Sequence, residues 1–232
     1  MKVLVIIPVY NEEKNISKVL DRIEASNANL DVLVVDDGST DNTYAACVDR
    51  KNVSVVRLPS NLGIGGARQT GFKFAFYNDY DAVVQLDGDD QHNPVYIDSM
   101  LLKLKAGYNL CIGSRFINYK GFQSSFMRRT GISLLYNLIK LITGQRVTDP
   151  TSGFRVCDKD AIKLFANEYP QDYPEPESIV TASINNMKIC EVPVEMEQRS
   201  SGKSSIGSLA SVYFMTKVSI AILISLKLKV LH

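Results

Sequence analysis

The chain has 232 residues, of which 45% are hydrophobic and 22% charged, which is ordinary for a globular protein with a substantial core. A formal net charge of +1 gives no overall positive field, so nucleic acid is not expected as a partner. Four scattered cysteines and only two histidines argue against a zinc site.

In chain order, apolar runs and segments with helical spacing alternate through the first half of the sequence. The predicted strands are Val3–Ile7, Asp31–Val35, Val53–Arg57, Asp81–Leu86 and Asn109–Gly113. The predicted helices are one capped by Asn11 and running through Ile16 to Ile23, then Asp41–Arg50, Gly65–Tyr77, Val95–Ala106 and Phe126–Thr143. Uninterrupted β-branched runs indicate strands buried on both faces. The alternation predicts a mostly parallel α/β sheet flanked by helices.

An acidic run follows the fourth predicted strand, where residues 85–94 read Gln-Leu-Asp-Gly-Asp-Asp-Gln-His-Asn-Pro. Asp87, Asp89 and Gln91 occupy alternate positions of an expected tight turn, and their oxygens are ligands that a hard divalent cation prefers. A cation held there can grip a diphosphate leaving group. The alternative is an ordinary acidic surface turn, because Asp-Gly is a common turn signal.

Polar clusters follow four of the predicted strands where each strand ends, at Pro8–Glu12, Asp36–Asp41, Asp87–Gln91 and Ser114–Arg115. Ligands bind at this edge of an open α/β sheet, so the clusters favour a binding site over scattered surface polarity. The glycine-rich segment 63–68 matches neither common nucleotide fingerprint. It is either a helix start packed close to the sheet or a contact to the diphosphate.

These motifs resemble family-2 glycosyltransferases in order and spacing. The motifs of the first half are Ile-Pro-Val-Tyr-Asn-Glu-Glu (7–13), Val-Val-Asp-Asp-Gly-Ser-Thr-Asp (34–41), Asn-Leu-Gly-Ile-Gly-Gly-Ala (61–67) and the acidic run. Those of the second half are Gly-Ser-Arg-Phe (113–116), Asp-Pro-Thr-Ser-Gly-Phe-Arg (149–155), Glu-Val-Pro-Val (191–194) and Arg-Ser-Ser-Gly-Lys-Ser-Ser (199–205). The second set resembles the polyprenyl-phosphate branch, which includes dolichyl-phosphate mannose synthase and bacterial undecaprenyl-phosphate sugar transferases.

The resemblance implies the Rossmann-like GT-A fold, Mg²⁺ or Mn²⁺ as cofactor, and inverting transfer of a sugar from a nucleotide sugar to a polyprenyl (undecaprenyl) phosphate. Such a reaction would serve the modification of cell-envelope polysaccharide. A phosphate oxygen is already anionic near neutral pH, so this acceptor needs no general base, unlike a hydroxyl acceptor.

The same resemblance implies roles for individual residues. It implies that the base and ribose of the nucleotide are bound by Pro8, Tyr10, Glu12 and Asp37. It also implies nucleotide contacts from Gly66, Arg68 and Asp87. The metal ligands are Asp87, Asp89 and Gln91. The residues that bind the acceptor phosphate are Arg115, Arg129, Ser133, Arg199 and Lys203. The catalytic residues are Asp87, Asp89, Arg115 and Glu177, the last as a sugar contact or base, with a turn-capping role as its alternative.

Two segments depart from the branch. Lys203 precedes two serines where the branch has Gly-x-Ser-Lys, which keeps the charge but leaves its position open. Tyr-Pro-Glu-Pro-Glu-Ser (173–178) differs from the mannose synthases, which leaves the donor sugar open. Asp37 beside a base can accept a hydrogen bond from the ring N–H of uracil. We therefore expect a UDP donor, with N-acetylglucosamine or glucose as the sugar.

Two apolar segments predict contact with a membrane surface. In the amphipathic helix at about 125–143, Arg129, Ser133 and Lys140 share one narrow face at about 100° per residue, which suits an anionic head group beside a bilayer. The alternative is a core helix with one wet face. Residues 1–205 would form the catalytic domain, and 206–232 a hydrophobic helix that associates with the cytoplasmic membrane face or docks on a small membrane protein. The alternative for that segment is a buried helix of the domain.

Two other functions stay open. The first is transfer to a glycan hydroxyl, as by a rhamnosyltransferase, which the basic segment 199–205 and the lack of a clear late catalytic aspartate motif disfavour. The second is an inactive nucleotide-sugar-binding regulatory subunit, which the presence of Asp87 and Asp89 disfavours.

Overall fold

The computed structural model describes residues 1–26, 30–118, 126–197 and 217–218, except the side chains of 126–128. Within these residues the strands are β1 (Val3–Val9), β2 (Asp31–Asp36), β3 (Val53–Arg57), β4 (Ala82–Gln85), β5 (Leu110–Ser114), β6 (Arg155–Asp158) and β7 (Ile189–Pro193). The α-helices are α1 (Ile16–Ala25), α2 (Thr43–Val48), α3 (Gly63–Tyr77), α4 (Ile97–Lys105), α5 (Phe126–Thr143), α6 (Lys159–Asn167) and α7 (Pro174–Ile184).

The strands form one sheet in the order β3-β2-β1-β4-β6-β5-β7. Strand β6 runs antiparallel to its neighbours β4 and β5, and the other pairings are parallel. The mostly parallel sheet and all five strands of the first half are therefore confirmed. Since the parallel strands of this half share one direction, the segments that follow β1, β2 and β4 meet at one edge of the sheet.

Both faces of the sheet are covered, as the uninterrupted apolar strands predict. In β1, Leu4 and Ile6 belong to a core cluster that includes Phe72 of α3, while Val5 and Ile7 belong to a second cluster with α1 and α4. Two separate cores leave the strand ends, rather than the faces, as the place where polar groups can gather.

The predicted helix cap at Asn11 is wrong. Helix α1 begins at Ile16, and Asn11 has left-handed backbone with φ of 55°. Its side-chain oxygen accepts the Thr40 N–H at 2.9 Å, so Asn11 joins the loops after β1 and β2 instead of starting a helix. Asparagine suits both tasks because its short amide tolerates left-handed backbone as well as capping.

The chain beyond residue 143 contains elements that the sequence did not predict, namely β6, α6, α7 and β7. Of the predicted C-terminal helix, only Lys217 and Val218 are described, and Val218 is buried in the first core cluster. No helix among the described residues is long and apolar enough to cross a membrane. The remainder of 206–232 lies outside the described residues, and the boundary at 205 stays a prediction.

Candidate active site

The acidic turn after β4 is seated against the loop that follows β1. A Cβ added at Gly88 would lie 2.8 Å from Val9 Cγ1, so glycine allows this close approach without displacing Val9. Within the turn, the Gln91 N–H donates to Asp89 Oδ1 at 3.2 Å. Asp87 and Asp89 keep part of their surface exposed, which leaves them accessible to a ligand.

A buried arginine joins the acidic turn to α7. Arg68 of α3 is 1% exposed, and its Nη2 donates to Asp87 Oδ1 at 2.8 Å. Its Nη1 donates to Glu175 Oε1 at 2.5 Å. Both terminal nitrogens are thus bonded to carboxylates, which gives Arg68 a direct part in holding Asp87. Its predicted contact to the diphosphate stays a prediction.

The charges around Asp87 favour its ionised form. Burial alone would raise the pKa of the Asp87 carboxyl, but His92 and the Arg68 guanidinium outweigh burial and hold that pKa below its ordinary value. Burial has the opposite effect on His92 and lowers the pKa of its imidazole, although the Asp87 charge opposes this shift. The imidazole is therefore neutral at pH 7, and Arg68 is the lasting positive partner of Asp87.

His92 holds the backbone of the turn. Its Nδ1 accepts the Asp87 N–H at 3.1 Å, and its ring stacks on Phe154 with centroids 5.2 Å apart. Gly153 precedes Phe154, and a Cβ there would lie 2.6 Å from Asp87 Oδ2. The motif 149–155 therefore passes directly beside the acidic turn.

Arg155, at the end of that motif, fixes the start of α7. It is 1% exposed, and Nη1 donates to Ser178 Oγ at 2.6 Å while Nη2 donates to the Glu175 carbonyl at 2.8 Å. Since Glu175 also binds Arg68, the two buried arginines together set the position of α7 relative to Asp87.

A small cavity lies between the loop after β1 and the start of α3. Its volume of about 160 Å³ is below the roughly 300 Å³ of pockets for drug-sized ligands, so it has room for a nucleobase rather than a whole nucleotide. The residues that line it are Pro8, Val9, Tyr10, Asp37, Asn61, Gly63, Ile64 and Ala67. The structure thus brings together three of the residues predicted to hold the base and ribose.

Asp37 fixes the start of α3 at this cavity. Its two carboxylate oxygens accept the N–H groups of Leu62 at 2.7 Å and Gly63 at 2.9 Å. Burial raises the pKa of Asp37, although those two hydrogen bonds oppose the shift. Each oxygen keeps a lone pair that a ligand N–H can use.

The fourth of these residues, Glu12, borders the acidic turn, because a Cβ at Gly88 would lie 3.7 Å from Glu12 Cγ. The Glu12 N–H donates to Thr43 Oγ1 at 2.8 Å, which ties the loop after β1 to α2. Gly66, by contrast, lies inside a packed contact, where a Cβ would meet Leu62 at 2.6 Å and Gln171 Oε1 at 3.5 Å. These neighbours show Gly66 in the role of a tightly packed helix start, and a nucleotide contact from it stays a prediction.

Arg115 lies in a network that joins three of the second-half motifs. Its Nε and Nη2 bond to the two oxygens of Asp149 at 2.7 Å each, and it is 6% exposed. Glu191 in turn accepts the N–H groups of Thr148 at 2.8 Å and Asp149 at 2.9 Å. Charge-assisted bidentate pairs of this kind are rigid, so Arg115 is held in one orientation. A lipid phosphate at this position would share the guanidinium with Asp149.

The other predicted acceptor residues are Arg129, Ser133, Arg199 and Lys203. Arg129 and Ser133 are exposed on α5, which packs against α7. Arg199 and Lys203 lie outside the described residues. The described contacts therefore do not show these four side chains meeting Arg115.

Glu177 lies in the first turn of α7, two residues after Glu175. Burial, with help from the nearby Asp172 charge, raises the pKa of Glu177 to about 7. Its Oε1 is buried and has no hydrogen-bond partner among the described residues. A carboxyl in this condition can donate or accept a hydrogen bond near neutral pH, which suits contact with a sugar hydroxyl.

The predicted metal ligands offer the right donor chemistry. No group of three or more His, Cys, Asp and Glu side chains among the described residues is arranged as a metal site. The predicted set is different, because it combines two carboxylates with the Gln91 amide and leaves positions for phosphate oxygens. Oxygen donors of this kind fit Mg²⁺ or Mn²⁺. The Gln91 amide nitrogen donates to the Glu197 carbonyl at 3.2 Å, which leaves the amide oxygen as the atom that could serve as the predicted ligand.

Sequence reasoning missed several residues of the site, namely His92, Asp149, Phe154, Arg155 and Glu175. Asp149 is the first and Arg155 the last residue of one of the motifs that carried the family resemblance. Their charges within that motif were a usable signal. Arg68 and Glu175 are 107 positions apart, and no local pattern connects them.

Comparison with known proteins places the chain in a family. The model of glycosyl transferase family 2 matches residues 4–165, and the chain belongs to that family. It is 30% identical over 215 residues to polyprenol monophosphomannose synthase of Mycolicibacterium smegmatis, covering 88% of this chain and 81% of that protein. It is also 30% identical over 213 residues to the UDP-N-acetylglucosamine–dolichyl-phosphate N-acetylglucosaminyltransferase of Methanococcus voltae, covering 83% and 84%. The resemblance inferred from the motifs is confirmed.

The fold has close structural counterparts. Glucosyl-3-phosphoglycerate synthase from Mycobacterium tuberculosis, in complex with Mn²⁺, UDP and phosphoglyceric acid, superposes with a TM-score of 0.71 at 22% identity. The match covers 97% of this chain and 78% of that one. This likeness confirms the GT-A-like α/β fold.

Arg68→Met should destabilise the protein. The change leaves Asp87 and Glu175 without their shared partner, and breaking a buried ion pair typically costs about 3–5 kcal/mol. Because both carboxylates keep some exposure, we expect a loss at the lower end, measured by urea denaturation at pH 7. The control is Arg50→Gln, which breaks the more exposed pair with Asp21 and should cost less than about 1 kcal/mol. Equal losses would contradict the bridging role.

Glu177→Gln should change how stability depends on pH. The raised pKa means that folded protein binds this proton more tightly than unfolded protein, so stability is complete below pH 4.5 and falls as pH rises through about 7. Compared with the variant, wild type should lose on the order of 1 kcal/mol over this window, after discounting for solvent. Parallel stability curves for the two proteins would show that Glu177 titrates normally.

Proposed function

We propose that the protein is an inverting glycosyltransferase that moves a sugar from a nucleotide sugar to the phosphate of a polyprenyl phosphate, with Mg²⁺ or Mn²⁺. The observation that carries the proposal is the placement of Asp87. This ionised carboxylate lies in a turn seated beside the loop that lines a base-sized cavity, and the buried Arg68 holds it. A nucleotide whose base enters the cavity can extend its diphosphate toward this turn.

In this proposal the residues of the donor side bind and orient the nucleotide sugar. Asp37 accepts from the base, and Asp87, Asp89 and Gln91 supply oxygen ligands. When bound, the cation would neutralise charge on the departing nucleotide diphosphate. Glu177 would contact a sugar hydroxyl. The acceptor phosphate would displace the nucleotide diphosphate at the anomeric carbon from the opposite face, which inverts the configuration there.

The acceptor side is supported by the basic residues and by the relatives. Arg115 is held rigidly by Asp149, and its charge adds to the burial that lowers the pKa of His92 in the acidic turn. One relative is named for a polyprenol monophosphomannose and the other for dolichyl phosphate, which supports a polyprenyl phosphate acceptor. By this proposal Arg115, Arg129, Ser133, Arg199 and Lys203 collect the phosphate of undecaprenyl phosphate or a similar lipid.

Helix α5 supports placement at a membrane surface, which we propose to be the cytoplasmic face. Ile132, Leu135 and Ile139 are buried in the core, which agrees with the core-helix alternative for one side of the helix. On the other side, Leu134 is 55% exposed and Leu141, two turns later, is 85% exposed. Exposed leucines beside cationic side chains suit an interfacial helix.

The donor is proposed to be UDP-N-acetylglucosamine or UDP-glucose. Each oxygen of Asp37 retains a lone pair for the uracil N–H, and the Methanococcus voltae relative is named for a UDP-sugar donor. The Mycobacterium tuberculosis counterpart binds UDP with Mn²⁺.

Nucleotide release tests the proposal directly. Purified protein with Mn²⁺ and each of UDP-N-acetylglucosamine, UDP-glucose and GDP-mannose should release nucleotide only when undecaprenyl phosphate is present. The Asp89→Asn variant should lose this activity while keeping its fold, because one metal ligand is removed.

Each rival predicts a different result in the same assay. Release only with a glycan acceptor would favour a transferase acting on a hydroxyl, such as a rhamnosyltransferase. Tight nucleotide-sugar binding without release under any condition would favour a regulatory subunit. Normal activity in Asp89→Asn would refute the metal assignment.

Arg129→Ala should weaken binding of the acceptor lipid more than binding of the donor nucleotide sugar. A lost charge-assisted bond of about 1.5–3 kcal/mol corresponds to a rise of roughly 10- to 100-fold in the KM for the lipid phosphate. The control is Lys163→Ala on the exposed surface of α6, a lysine outside the predicted acceptor residues, which should leave this KM unchanged. If only the KM for the nucleotide sugar rose, α5 would not face the acceptor.

A further inference from the structure

The acidic turn contains a buried charge that the proposed chemistry does not use. Asp90 is 1% exposed, and its φ of 65° is a left-handed conformation that a non-glycine residue adopts at some cost. Its carboxylate lies 2.5 Å from Lys18 Nζ and 2.8 Å from Arg22 Nη1, both on α1. The turn is therefore anchored to a helix through a residue that stands between two predicted metal ligands.

Arg22 extends this anchor to a second segment. Its Nη2 lies 2.6 Å from Glu197 Oε1, beyond β7. The Glu197 N–H donates to the Gln91 carbonyl at 3.0 Å, and the Gln91 amide donates back to the Glu197 carbonyl at 3.2 Å. Glu197 is thus bonded both to Arg22 and, twice, to Gln91. Arg22 therefore bonds both to Asp90, which precedes Gln91 in the turn, and to Glu197, which is hydrogen-bonded to Gln91.

We propose that Asp90 and Arg22 are positioning residues for the cation of the proposed function. The ion pair fixes the backbone between Asp89 and Gln91, and the link through Glu197 fixes the Gln91 amide so that its oxygen is the atom offered to the cation. Groups that orient metal ligands in this indirect way typically change metal affinity by about 10- to 100-fold when they are removed. A simple anchor for α1 would need only one of these contacts.

Asp90→Asn is the sharpest variant, because asparagine keeps the size and tolerates left-handed backbone but loses the charge. Two measurements apply to it: hydrogen exchange at the Glu197 amide, and Mn²⁺ binding in the presence of UDP by calorimetry. We expect faster exchange and about tenfold weaker Mn²⁺ binding, with kcat near the wild-type value at saturating Mn²⁺. Arg22→Gln, which is a separate route to the same loss, should behave alike.

The matched control is Asp21→Asn, which breaks the pair between Asp21 on the same helix and Arg50 and should change neither measurement. Unchanged exchange at Glu197 in both test variants would overturn the coupling, whatever the protein catalyses. Faster exchange with unchanged Mn²⁺ affinity would show an anchor only and overturn the positioning role. If wild type binds no Mn²⁺ with UDP, the metal assignment of the proposed function fails and the positioning role falls with it.

Discussion

The geometry of the site depends on the buried ion pairs that Arg68 makes with Asp87 and Glu175. The Arg68 guanidinium is almost sealed from solvent and bonds to Asp87 from one part of the chain and to Glu175 from another. A buried cation is tolerated only when its partners are fixed and close, so the acidic turn and the start of α7 must lie together around it. Arg155 bonds to the same segment of α7 through the Glu175 carbonyl, and His92 accepts the backbone N–H of Asp87. The metal-binding prediction rests on this arrangement, because it keeps the carboxylate charged and in place.

Much of the first half could be predicted because four of its five strands, all except the edge strand β3, are almost entirely buried on both faces. Such strands must be apolar throughout, and the polar residues then stand out where each strand ends, as at Asp37 and Asp87. The second half could not be read in this way. Strand β6 is only four residues long and begins with Arg155, so it carries no recognisable alternation or apolar run. It is also antiparallel to its neighbours, unlike the strands of the first half. Its arginine is stabilised by groups from α7 that no local pattern reveals.

Within the site, candidate ligand residues could be predicted from the sequence more readily than the residues that hold them in place. The acidic run identified candidate metal ligands by residue type and spacing alone. The groups that hold those ligands come from distant segments, as with Arg68, Arg22 and Glu197, and depend on folding for their meaning. Asp90 and His92 show the same limit, since both stand inside the motif yet gained roles only from their contacts with α1 and Phe154.

The central claim is that sugar moves from a nucleotide to a lipid phosphate, and the chemical identity of the product tests it most directly. Wild-type protein would be incubated with a UDP sugar labelled in the sugar, undecaprenyl phosphate, an oligosaccharide acceptor and Mn²⁺. The products would be analysed by mass spectrometry for composition and by NMR for anomeric configuration. The account predicts a lipid bearing one labelled sugar on a single phosphate, with inverted anomeric configuration. Label recovered on a glycan hydroxyl, or as a lipid diphosphate sugar, would contradict it.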